Sequence, residues 1–121
     1  MRRIVSAAAV VVMLAALGAV ATASEQSTVT VKGEIVDLAC YLGHGARGEG
    51  HRMCAETCLK NGEPMGLLTA DGAVYLLLAP HDNATAFEQA KSYAADQVSV
   101  TGPLAEKAGI KAISVMTVTK L

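Results

Sequence analysis

The sequence contains no tryptophan, only one phenylalanine and three tyrosines, and few charges, 17% of its residues. The rings are Tyr41, Tyr75, Phe87 and Tyr93, and nowhere do lysine and arginine gather into a stripe. A nucleic-acid surface requires basic residues interleaved with stacking rings, so that class of partner is disfavoured. There is no Ser-His-Asp order and no H-E-x-x-H. Gly43 to Gly50 is glycine-rich but lacks the Lys-Ser/Thr ending and strand-to-helix context of a phosphate loop. Internal repeats and low-complexity tails are absent as well.

The chain opens with Met1-Arg2-Arg3, the apolar run "IVSAAAVVVMLAALGAV", and Ala21-Thr22-Ala23. A basic head, an apolar middle and an A-x-A ending form the layout of a secretory signal. The run also approaches the ~17–25 apolar residues of a membrane anchor, but its alanine content and ending favour cleavage after Ala23. The expectation is a signal over 1–23 and one domain over 24–121, periplasmic or secreted, with no membrane attachment after cleavage. Removing 23 of 121 residues leaves 98, and loss of Arg2 and Arg3 moves the net charge from −1 to −3. A chain of that length supports one small core.

"VTVKGEIVDLAC" alternates Val29, Val31, Gly33 and Ile35 with Thr30, Lys32 and Glu34, which predicts a strand running to Cys40 with a bulge near Val36-Asp37. "GHGARGEG" reads as a mobile loop and "HRMCAETCLKNG" as a short helix stopped at Asn61-Gly62. Asp71-Gly72 between apolar runs predicts a hairpin. "HDNATAFEQAKSYAAD" predicts a helix capped by Asp82 or Asn83, with Ala84, Phe87, Ala90 or Lys91, and Ala94 on one face. Asn83-Ala84-Thr85 matches a glycosylation sequon but is more simply this cap. Two further strands flank "EKAG". The expected fold is mainly β: a small five-stranded OB-like barrel, a helix between strands three and four, and a Cys/His-bearing helical insert between strands one and two. Another small open barrel or α+β sheet is the runner-up.

The segment "CYLGHGARGEGHRMCAETC" holds all three cysteines and two of the three histidines. On a helix, His51, Cys54 and Cys58 fall within roughly 60° of one another. Cys40, joined by a glycine-rich loop, can reach that stripe. Three thiolates and one imidazole suit tetrahedral zinc, and soft sulfur also suits Cu(I). The candidate ligands are therefore Cys40, His51, Cys54 and Cys58, with His44 in reserve and Met65 as a further sulfur donor. Met53 and Met65 read first as packing residues, His81 as a turn residue, and Glu34, Asp37 and Glu56 as solvated acids by default, with a carboxylate group near the cluster as the alternative.

Exported cysteines usually pair. A bridge from Cys40 to Cys54 or Cys58 would close a loop of roughly 14–18 residues and stabilise the domain by ~3 kcal/mol. Three is odd, so such a bridge leaves one thiol over. Thiol–disulfide exchange is the third possibility, although C-x-x-x-C is not its usual C-x-x-C spacing.

Two resemblances bear on the cluster. The mature chain resembles small exported bacterial proteins with a G-E-[IV]-V-D-x-x-C-Y, H-x-x-C-A-x-x-C and G-x-P-x-G-L-L pattern, matched by Gly33–Tyr41, His51–Cys58 and Gly62–Leu68. That likeness implies that the three cysteines and His51 act together, and it implies no activity. Locally, Cys54, Glu56, Cys58 and Met65 are similar to the dinuclear copper loop of cytochrome oxidase subunit II, C-x-E-x-C-x-x-x-H-x-x-M. Gly62 stands where that loop has its histidine, and a cupredoxin scaffold needs more chain. The likeness raises copper as the metal without implying electron transfer. The reading is a small exported zinc- or copper-binding protein, more a binder than an enzyme. Its expected partners are the metal ion and a periplasmic protein. The alternatives are a disulfide-stapled interaction module with one free thiol, and a thiol redox protein.

Overall fold

The computed structural model describes residues 25–121, so the signal expected over 1–23 lies outside the described residues. Period-two patterning becomes strands β1 (Thr28–Asp37), β2 (Met65–Leu68), β3 (Val74–Leu78), β4 (Gln97–Lys107), β5 (Ile110–Ser114) and β6 (Thr117–Lys120). The sheet order β1-β2-β3-β5-β4 closes through a β1–β4 pairing, and β3–β5 is its parallel contact. This is the expected closed five-stranded OB-like barrel, with β6 added on the free edge of β4. Val31, Ile35, Leu67, Leu77, Val98, Val100 and Ile113 fill the interior, as the alternation requires.

The last strand does not run unbroken. β5 sits between β3 and β4, whereas β6 pairs with β4 alone, because β4 at eleven residues outruns five-residue β3. Val115 at the break stays buried and Met116 turns out to solvent. The hairpin turn at Asp71-Gly72 is as expected: Gly72 has φ 86° and Thr69 N–H donates to the Ala73 carbonyl at 2.9 Å.

Helix α3 (Thr85–Lys91) lies between β3 and β4 but ends earlier than its apolar spacing predicts. Asn83 Oδ1 accepts from Thr85 N–H at 3.0 Å, and the chain leaves the helix through Ala95 at φ 65°. Among the described residues no helix is long and apolar enough to cross a membrane.

The insert between β1 and β2 differs most from expectation. β1 stops at Asp37, and Cys40 lies not on strand but on a short helix, α1 (Leu38–His44). Asp37 Oδ1 caps it by accepting from Ala39 N–H at 2.9 Å, and Gly45 ends it at φ 70°. Leu38 and Tyr41 pack on the outer face of the sheet against Val36, Leu68, Val74 and Leu76. Leu38 lies directly over Gly66, where a Cβ would strike its side chain. A 3-10 turn over Glu49–His51 then leads into α2 (Arg52–Lys60), which buries Ala55 and Leu59 in the barrel core. The predicted mobile loop is thus short, and Gly48 N–H donates to the Glu34 carboxylate.

Candidate metal centre

Two helices with different attachments converge on one spot. The cap at Asp37 and the burial of Leu38 fix α1. Arg52 fixes the start of α2: its Nη1 donates to the Ala94 carbonyl at 2.7 Å, its Nη2 to Asp96 Oδ1 at 2.9 Å, and its Nε to Glu49. Asp96 also pairs with Lys120 at 2.9 Å.

Arg52, with Lys120, holds the Asp96 carboxyl below its ordinary range. A carboxyl depressed by folding stabilises the fold above its unfolded value, near ~4, and that contribution disappears as pH falls through the lower folded value. An Asp96→Asn chain should therefore lose less stability than the parent between pH ~5 and ~3, read as urea midpoints at each pH.

Among the described residues, two groups of donor atoms can hold a metal ion. One is Cys40, His51 and Cys54; the other is Asp37, Cys40 and Cys58. Within each group every ligand atom lies within 4.8 Å of the others. Donors on one tetrahedral ion with ~2.3 Å metal–sulfur bonds sit ~3.8 Å apart, so small side-chain rotations close either group.

The structure brings together three of the four predicted ligands, Cys40, His51 and Cys54. Cys58 meets Cys40 but groups with Asp37 instead of His51 and Cys54. His51 also lies at the end of the 3-10 turn, not on the face of α2 where the helical stripe placed it. His44 is exposed at the end of α1 and joins neither group, and His81 is exposed far along the chain. Met65 is a buried core residue, 1% exposed, and is no ligand in either group. Met53, read as packing, is 83% exposed on α2.

Asp37 is the site residue that its default reading as a surface acid misses. It is 1% exposed. Three residues apart on a strand, Asp37 and Cys40 would point to opposite faces; with Asp37 as helix cap they meet. The signal was the D-x-x-C-Y-L-G-H-G spacing, an N-cap residue Asp37 followed at helical distance by the glycine stop Gly45. Glu34 and Glu56 are otherwise engaged, by Gly48 and by Lys60 at 2.8 Å.

The electrostatics favour a cation. Among the described residues, two buried side-chain polar atoms lack a hydrogen-bond partner, Asp37 Oδ2 and His51 Nε2. Both residues line one crevice against β1. An unpaired buried polar atom costs about 1–3 kcal/mol, and ligation of an ion by either residue removes that residue's cost. Hydrogen bonding to the Asp37 carboxylate, with burial second, pushes the Cys40 thiol up to about 12. Burial first, then hydrogen bonding with Cys54, raises Cys58. Such thiols are protonated at neutral pH and are poor nucleophiles, whereas a metal ion displaces their protons. All three cysteines are unbonded in this structure.

Comparison of the chain with protein-family models, curated proteins and solved structures finds no match.

Proposed function

We propose that this is a metal-binding protein whose centre holds a sulfur-seeking transition-metal ion, zinc or copper, through Cys40, His51 and Cys54. Cys58 is the nearest further thiolate. The reading rests on one observation: two helices anchored by separate contacts bring these donors within 4.8 Å of one another around Cys40. The site serves structure or metal handling. Ion binding ties α1 to α2, and Cys54, exposed at the rim, leaves the ion within reach of an exchange partner. Export of the chain, expected from residues 1–23, belongs to the same proposal.

The disulfide reading draws on the same closeness, since Cys40 sulfur lies within reach of both other thiols. It leaves His51 Nε2 unexplained, which the metal reading does not. Thiol exchange is less supported still, because the thiol at the centre is held protonated.

The test is a zinc competition titration. Zinc sites are worth ~10–16 kcal/mol, so one donor of four contributes a factor on the order of 10²–10³. His51→Ala should weaken binding at this triad by on the order of 10²-fold, with the metal-free protein still folded. Titrations that superimpose on the parent's would remove His51 from the site.

A further inference from the structure

Cys40 belongs to both donor groups, and each group contains one of the two residues that carry a partnerless buried polar atom. A single ion on Cys40, His51, Cys54 and Cys58 would have to draw Cys58 away from Asp37, and would leave the Asp37 oxygen buried and unsatisfied. Two ions satisfy both groups as they stand. We propose that the centre takes a pair of zinc-like divalent ions bridged by the Cys40 thiolate, one on Cys40, His51 and Cys54 and the other on Asp37, Cys40 and Cys58. This rests on the metal-binding reading above and extends it.

Charge supports the pair. Three thiolates and one carboxylate carry four negative charges, which two divalent ions neutralise and one does not. Of the nearby side-chain cations, Arg52 is engaged with Glu49 and Asp96 and Lys60 with Glu56, while Arg47 lines the crevice with Asp37 and His51. Each thiol gives up its proton to solvent on binding, while Asp37 binds as the carboxylate. The donor set also points to the ion class. A carboxylate oxygen beside thiolates suits zinc better than Cu(I), which prefers sulfur and imidazole alone. The two positions differ in access, because Cys54 is exposed whereas Asp37 is buried. The outer ion should therefore exchange first.

The experiment titrates the reduced protein with Zn²⁺ under anaerobic conditions against a chromophoric chelator and weighs the loaded species by native mass spectrometry. The parent should saturate at two ions per chain. Asp37→Asn should saturate at one, and His51→Ala should likewise keep a single ion. Asparagine caps a helix as well as aspartate, so α1 survives the first substitution, and circular dichroism confirms it. Saturation of the parent at one ion, two ions retained by either variant, or loss of both from a folded Asp37→Asn chain overturns the bridged pair. In those cases zinc binding by the parent leaves the metal-binding reading standing. A parent chain that binds no zinc removes both.

Discussion

A Cys40→Ser chain should bind zinc about 10³-fold more weakly than the parent, the largest loss from any single donor, if donors share the ~10–16 kcal/mol of a zinc site. The reason is topological. Cys54 and Cys58 each belong to one donor group, whereas Cys40 belongs to both. Serine keeps the size of the side chain but offers a hydroxyl that does not ionise near neutral pH, so the loss reports ligation and not packing. Cys54→Ser and Cys58→Ser should each lose less. Equal losses at all three positions in the same competition titration would contradict a centre organised around Cys40.

Gly102→Ala should produce the largest effect on stability. Gly102 is buried in β4 where the β5–β6 junction crosses it, and an added Cβ would collide with the backbone carbonyl of Ser114. Backbone cannot yield as a flexible side chain can, so the cost belongs at the upper end for overpacking, about 3 kcal/mol. A domain of this size loses roughly 4–8 °C of Tm per kcal/mol, which predicts a fall of about 12–24 °C by calorimetry. Gly66→Ala should cost less, because its obstacle is the movable side chain of Leu38. A melting temperature unchanged in Gly102→Ala would mean that β4 and the β5–β6 junction do not approach as described.

The barrel was legible in the sequence because its strands are amphipathic in the simple sense. Val29, Val31, Gly33 and Ile35 face in, and so do Val98 and Val100. The helix between β3 and β4 announced itself through Asn83 and the spacing of Phe87 and Ala90. The insert was harder to read. "DLACYLGHG" is compatible with strand by composition, and only its cap Asp37 and its stop Gly45 mark it as helix. Reading it as strand placed Cys40 correctly near α2 but hid Asp37, whose burial depends on the chain turning at that residue. The break before β6 carried a signal, since in "AISVMTVTKL" the apolar positions Ile113 and Val115 give way to Met116 and Val118, a shift of phase at the break. What ends β5 is the limited length of β3, a property of a different segment.

The closest test of the centre counts metal and thiols in the same sample. Protein purified in air without added reductant is analysed for metal, then unfolded with chelator and its free thiols titrated. A centre built on Cys40, His51 and Cys54 predicts at least one zinc or copper ion per chain and three reactive thiols. One reactive thiol with no metal would contradict it, and would mean that Cys40 is joined by a disulfide to one of its two neighbours.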